Sequence, residues 1–531
     1  MLTVVRGWRR ITHSRWLISF LLFSALGSTW ALSTPIYGVP DEPSHVLRAA
    51  SVARGQLVGE RGHGLPGYLQ LVRAPAGLVK LGTHPLSDPR TYIPCFVLES
   101  KQLPTCFGGL RGRPGLRRVP TDVGLDPPAF YGLVGLPSLV VASRPALTVY
   151  LMRLMSVLAS AALLASALGS LQSFRPSWLG PSGMAFALTP TTLFLTGSVN
   201  PNGFEICAGI AAWSSVAALV HRAEHKIESR LVVRAAVAMI ALALTRALSV
   251  LWLVLIVATA LALATPTAYR RLAGSPVVRR WALAVIGVTT VAVAYVVVAG
   301  PLEHLTGHGP LPGPVGTLTI VRRSLGNSYD VYRQMIGVFG WLDTSSPAVT
   351  YLLWTAGLAL LVGLCVAFAS RRQAFIVIAL AVLAIAVPVG LDTARARQVG
   401  IGWEGRWSLP FAVGVPIIAA LAVAWSQRRA LFLRSRLPAL LAASFVIAQI
   451  LGYGQYLRRN TVGVGGGLDF WLHAKWSPPL PAGLLLAANL AILIALAIWI
   501  WGPGDQGSGA EENAALGPGE TALLGSPPLD D

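Results

Sequence analysis

Apolar runs long enough to cross a bilayer recur along this 531-residue chain, separated by short arginine-rich clusters. A helix needs about 20 apolar residues to span the hydrocarbon core. Hydrophobic residues make up 54% of the chain, charged residues 12%, and the mean hydropathy is +0.62. A soluble domain carries about 25% charged residues. One soluble core is therefore excluded, and the chain reads as an all-α integral membrane protein with many spans. The net charge of +20 does not point to nucleic acid. Its basic residues fall between apolar runs, as the positive-inside rule expects, and no nucleic-acid motif is present. The bilayer is the first partner.

Spans are expected at about 16–36, 146–171, 181–198, 203–220, a tight pair over 235–266 interrupted by Arg246, 281–299, 349–370, 374–391, 409–425, 437–457 and 482–501. That is about 12 transmembrane helices within a single membrane domain, 1–501. The basic N-terminus (Arg6, Arg9, Arg10, Arg15) resembles a signal peptide, but the run from Trp16 is long enough to span and lacks a clear cleavage site. It is read as a retained, N-in first helix. Residues 37–128 then form a large first outer loop, with helical patches expected at 43–54 and 67–81, and 300–348 a second. Residues 129–142, apolar but short and holding Pro137, are expected to lie along the interface or re-enter. The tail 502–531 has six acids and no Lys or Arg, and reads as disordered and cytoplasmic. Cys207 and Cys365 fall in apolar spans as packing residues. Cys95 and Cys106 share the first outer loop, where an oxidising exterior favours a disulfide between them.

Only 22 Asp and Glu occur in the chain, yet Asp41 and Glu42 stand side by side just after the first span. His45 and Arg48 follow at helical spacing. Pro43 suits the first turn of a helix and Gly55 its end. The pair either does chemistry at the membrane surface or caps an interfacial helix, where the dipole favours anions.

Three further segments place polar groups at the outer ends of spans. Asp126 opens a rigid Asp-Pro-Pro turn that closes the first loop and can face the same cavity as Asp41. Asn200, Asn202 and Glu205 surround an Asn-Pro-Asn turn; Glu205 falls at membrane depth, where an acid is costly, and Arg246 or Arg153 would pair with it. Arg406, in Glu404-Gly405-Arg406-Trp407, is an arginine on the outer side, suited to an anionic lipid phosphate or to simple snorkelling. Arg322 and Arg323 are weaker candidates of the same kind. The Gly465–Gly467 run lacks the context of a phosphate loop, and no Ser-His-Asp, HExxH or CxxC pattern is present.

The segments VPDEPSHVLRAASVARG, LDPPAFYGLVGLPS, LTPTTLFLTGSVNPNGFEI, FGWLDTSSP and EGRWSLP, in this order, resemble a bacterial family of polytopic membrane proteins of unknown function. That family looks like a branch of the GT-C glycosyltransferase superfamily. The resemblance implies a GT-C-like bundle whose large first extracytoplasmic loop carries the catalytic carboxylate, matched here by Asp41 or Glu42. It implies a polyprenyl-phosphate sugar donor, a cell-envelope glycan or lipid acceptor, and action at the outer face of the bacterial plasma membrane. His45, Arg48, Asp126, Asn200, Asn202, Glu205 and Arg406 are then the expected donor- and substrate-binding residues. No cofactor is called for, and a divalent metal stays open. The chain departs from the family's frequent His-Pro-Pro and Gln-Gly-Arg-Tyr at Asp126-Pro127-Pro128 and Glu404-Gly405-Arg406-Trp407. A lipid or glycan transporter or flippase, a glycan ligase and a non-catalytic scaffold of envelope assembly are the competing classes. A carboxylate-bearing first loop favours an enzyme, and few acids deep in the spans argue against proton coupling.

Overall fold

The computed structural model describes residues 2–63, 65–79, 93–172, 174, 177–302, 315–426 and 436–502. The tail beyond 502 and part of the second outer loop, 303–314, lie outside the described residues. Among those described, nine helices are long and apolar enough to cross a membrane. They are α1 (Leu2–Ser33, apolar from Arg15), α5 (Pro145–Leu171), α8 (Pro201–Arg222), α12 (Pro276–Ala299), α15 (Ala348–Phe368), α16 (Arg371–Val399), the consecutive α17 (Gly405–Ala412) and α18 (Gly414–Ala424), α19 (Leu437–Val462) and α20 (Ala482–Trp501). Shorter helices fill the intervals: α2 (Glu42–Val52), α3 (Pro128–Gly135), α4 (Pro137–Val140), α6 (Leu179–Ala187), α7 (Pro190–Thr196), α9 (Ser229–Ala243), α10 (Ser249–Leu263), α11 (Pro266–Gly274), α13 (Thr317–Gly326) and α14 (Ser328–Gly337).

Three of the 12 expected spans do not form single long helices among the described residues. The span expected over 181–198 is broken into α6 and α7. Pro190 has no N–H to donate and holds Thr189 extended, and the Thr189 side chain instead caps α7 by accepting from Thr192 N–H. The pair expected over 235–266 is α9 and α10, of 15 residues each. At about 1.5 Å per residue neither reaches across a core of about 30 Å. Both lean on α8, and the turn between them brings Arg246 to Asn202 and Glu205.

The centre of the bundle is α8 with α17–α18, which are almost wholly enclosed, while α12, α15 and α16 turn most of their surface to lipid. Close approach sets this centre. A Cβ on Gly209 of α8 would lie 2.6 Å from the Pro410 carbonyl oxygen of α17, so only glycine allows the contact. Trp30, Phe194, Phe339 and Tyr456 pack ring against ring at one end of α1, α7 and α19.

The first outer loop is not purely helical. The helical patch expected over 67–81 is strand β2 (Gln70–Pro75) followed by a single 3-10 turn. β2 pairs antiparallel with β1 (Glu60–Arg61) and β3 (Leu116–Thr121), setting Gln70 opposite Thr121 and Val72 opposite Val119. Its side chains alternate between buried and exposed, the period of a half-covered strand. The sheet covers α2, and Val46, Leu47, Val72, Val119 and Tyr131 form a second core there. A disulfide joins Cys95 to Cys106. Buried Arg459 of α19 donates to the Phe96, Glu99 and Gln102 carbonyls around that bond and pairs with Asp343 at 2.9 Å. Asp343 lies in the turn between β4 (Val338–Phe339) and β5 (Thr344–Ser345).

Candidate functional site

Asp41 sits in the left-handed region, at φ 61° and ψ 3°, which Asp tolerates better than most residues. The next residue begins α2, with Pro43 in the first turn. The two adjacent carboxylates end up with different partners. Glu42 is fully buried against Arg153 of α5 in a two-pronged pair, Nε to Oε1 at 2.7 Å and Nη2 to Oε2 at 2.6 Å. Arg153 also donates to the carbonyls of Ala31, Thr34 and Pro35 at 3.1, 2.7 and 2.7 Å. The Val199 N–H donates to Glu42 Oε1 at 3.1 Å. One ion pair thus binds the end of α1, the start of α2, α5 and the turn before α8. It leaves Glu42 no exposed face.

Asp41 remains 35% exposed and meets Arg406 from the far end of the sequence, Arg406 Nη2 donating to Asp41 Oδ2 at 2.7 Å. Arg406 is itself nearly buried and lies 2.6 Å from Glu404 through Nε, while its Nη1 has no hydrogen-bond partner among the described residues. Burial opposes ionisation of Asp41, but Arg406 and, more weakly, His45 outweigh it and hold the carboxyl below its ordinary range. Burial raises Glu404 despite the same arginine.

Around this pair runs a second layer. His45 Nδ1 is 2.8 Å from the Tyr131 hydroxyl, which donates to Asp126 Oδ2 at 3.0 Å. With the tyrosine proton used on the carboxylate, Nδ1 is the donating nitrogen and Nε2 the accepting one. Burial pushes His45 down to about 3, so the ring is neutral at neutral pH. Burial also raises Asp126. Arg48 is fully buried and donates to the carbonyls of Leu57 and Asp126 at 2.6 and 2.8 Å and to Tyr295 at 3.3 Å. Its guanidinium pins the loop to α2 rather than facing a cavity.

Asn200 caps α8 and donates to the Pro40 carbonyl at 3.0 Å, fixing the turn that presents Asp41. Asn202 donates to Asn200 Oδ1 at 2.7 Å and accepts from Arg246. Of the two partners expected for Glu205, Arg246 is the one present, at 3.8 Å, with Ser249 donating at 2.7 Å; Arg153 goes to Glu42 instead.

Asp41, His45, Asp126, Asn200, Asn202, Glu205 and Arg406 therefore converge on one region, while Glu42 and Arg48 hold it from inside. Asp122, in the loop between β3 and α3, was not singled out by the sequence. Burial, and next the charge of Asp41, raise it to about 6. Its signal was the scarcity that marks Asp41: a lone acid four residues before Asp126 in an arginine-rich loop. Arg246, expected only as a partner for Glu205, also donates to Asn202 and so belongs to the site as well.

An open apolar groove of about 300 Å³ runs between α14, α15, α16 and α18. Trp403 and Leu409, three residues to either side of Arg406, line it, with Trp354 and Pro388 farther along. Gln334, Glu404 and Arg406 bound a separate gap of only about 10 Å³. Gln334 accepts from the Gly405 N–H at 2.9 Å and so joins α14 to the start of α17. Among the described residues no group of three or more His, Cys, Asp or Glu side chains is arranged to hold a metal ion.

The chain belongs to the predicted membrane protein family DUF2142, whose family model matches residues 23–415. No curated protein matches it. Among solved structures it is similar to ArnT from Cupriavidus metallidurans in the apo state, at 13% identity and a TM-score of 0.42, over 94% of this chain and 78% of that one. It is likewise similar to the same protein bound to undecaprenyl phosphate, at 13% identity and a TM-score of 0.40, over 93% and 77%.

Proposed function

We propose that this member of the DUF2142 family is a glycosyltransferase that moves a sugar from a polyprenyl-phosphate-linked donor to a hydroxyl of a cell-envelope acceptor, at the outer face of the plasma membrane. The observation that carries the reading is the contact between Asp41 and Arg406, a carboxylate and a nearly buried arginine beside an apolar groove. The groove has the chemistry for an isoprenoid tail, and Arg406, whose buried Nη1 has no hydrogen-bond partner among the described residues, has that for the phosphate at the tail's end. Asp41 takes the proton of the acceptor hydroxyl. The freed oxygen lone pair forms the new bond to the anomeric carbon, and the old carbon–oxygen bond breaks with its electron pair leaving on the phosphate. Arg406 stabilises that developing charge. His45 and Asp126, linked through Tyr131, order the acceptor side, and Asn200 and Asn202 hold the turn.

Arg406→Lys keeps a positive charge but loses the planar fork. Binding of a polyprenyl phosphate in nanodiscs should weaken by about tenfold or more, the scale of one charge-assisted hydrogen bond. The protein should stay folded and inserted. Unchanged affinity would remove Arg406 from the site.

The reading needs residues 37–128 outside the cell, with both termini inside. A cysteine at exposed Arg61 should react with an impermeant maleimide added to intact cells, and the native Cys207 and Cys365, both buried, should stay silent. Labelling only after permeabilisation overturns the outer-face placement.

A further inference from the structure

We infer that Asp122 is a positioning residue for the proposed transfer: it shares the outer region with Asp41, and when a lipid phosphate engages Arg406 the two carboxylates hold one proton between them. The inference rests on the glycosyltransferase reading and adds a residue and a proton step to it.

The argument begins with what each nearby acid is doing. Glu42 is locked to Arg153, Asp126 accepts from Tyr131, Glu205 accepts from Ser249 beside Arg246, and Glu404 and Asp41 both face Arg406. Asp122 has no cation of its own among the described residues. Its Oδ1 is buried without a hydrogen-bond partner among the described residues, and the Ser44 hydroxyl on the first turn of α2 is its supporting donor. The same turn is tied to the end of β3, Thr121 donating to the Ser44 carbonyl at 3.4 Å. Asp122 is thus set beside the residue that precedes α2, near enough for the charge of Asp41 to act on it.

The charged and titratable groups around the pair come from every neighbouring element. They are His45 and Arg48 on α2, Asp126 and Tyr131 at α3, Arg246 between α9 and α10, and Glu404 and Arg406 at α17. Burial disfavours the charge on Asp41, and Arg406 is what overcomes it. A phosphate that takes over the guanidinium withdraws that support and adds another negative charge. Two carboxylates in one partly dehydrated site then resist joint ionisation. A proton is taken up and belongs to the pair rather than to either residue. In the microstate where Asp122 carries it, Asp41 is ionised and no longer held down by the arginine, so donor binding makes it a stronger base. Before the donor arrives, the salt bridge keeps it weak.

The test measures protons rather than sugar transfer. The probe is a polyprenyl methyl phosphodiester, whose one acidic group stays dissociated across the range studied. Calorimetric titration of the full-length protein in nanodiscs, in two buffers of different ionisation enthalpy, reads the net protons bound per probe. Near neutral pH the wild type should take up a substantial fraction of about one proton. Asp122→Asn should bind the probe with most of that uptake lost, and Asp122→Glu should restore it. The wild type alone gives a second readout: uptake should fade on acidification below about pH 5, where Asp122 is already protonated before the probe binds. Wild-type uptake in Asp122→Asn, or uptake that persists undiminished in acid, overturns the inference and leaves the transferase reading standing. A probe that fails to bind, or binds equally well to Arg406→Lys, overturns both.

Discussion

Asp41→Asn should lower sugar transfer by about 10²–10⁴-fold, the usual contribution of a positioned base, with little change in thermal stability. The side chain keeps its shape and can still accept from Arg406, but it can no longer take a proton. Stability should hold because the pair is partly open to solvent, 35% on the Asp41 side, where an ion pair is worth about 1 kcal/mol or less. Arg406 also keeps Glu404 as a neighbour. Single-turnover transfer from a sugar-loaded polyprenyl phosphate is the measurement. Binding of the sugar-free lipid phosphate should persist or tighten, since Asp41 no longer competes for the arginine. Transfer at the wild-type rate would end the catalytic account of this stretch and return the transporter and scaffold classes to the front.

Glu42→Gln, one residue away, should fail differently. Arg153 would keep its carbonyl partners but lose the only carboxylate it contacts among the described residues, deep inside the bundle. Removing one member of a buried ion pair costs about 3–5 kcal/mol. The variant should express poorly or unfold at a markedly lower temperature in nanodiscs. The double variant Glu42→Gln/Arg153→Met should recover part of the loss, because no buried charge is then left unpaired. A Glu42→Gln protein that is fully stable but inactive would instead make Glu42 the base and Asp41 the cap.

These two outcomes differ because of a torsion angle that residue order does not reveal. Read as sequence, Asp41 and Glu42 are an equivalent pair at a helix start, and either suits a base or a cap. In the folded chain Asp41 is in the left-handed region, which separates the two side chains. Arg153 and Val199, 111 and 157 residues away from Glu42, then claim its oxygens. Arg406 is 365 residues from Asp41. Nothing local in either segment requires that meeting. It depends on α17 packing against α8 at Gly209 and on α8 being capped by Asn200, which grips Pro40.

What was legible without the fold follows from properties each residue carries alone. Hydropathy summed over a window identifies helices that must sit in lipid, and it did so for every long span. Proline and glycine bracket α2, expected over 43–54 and found over Glu42–Val52. Scarcity made Asp41 and Glu205 conspicuous, and an arginine on the side expected to be outer did the same for Arg406, since an ionised group near hydrocarbon is too costly to be idle. Other features lay beyond that kind of reading. The apolar run over 181–198 is hydrophobic enough to span, but its break at Pro190 lies inside the protein, where α8 and α14 pack around it. Arg48 looked like a phosphate ligand because its charge is visible in sequence, whereas the carbonyls of Leu57 and Asp126 that occupy it are not. Asp122 carried no motif at all. Composition and spacing determine which groups a chain possesses and which segments enter the bilayer. Only tertiary packing decides which charges neutralise one another and which are left free to react, because Coulomb and hydrogen-bond energies depend on distances that sequence separation does not set.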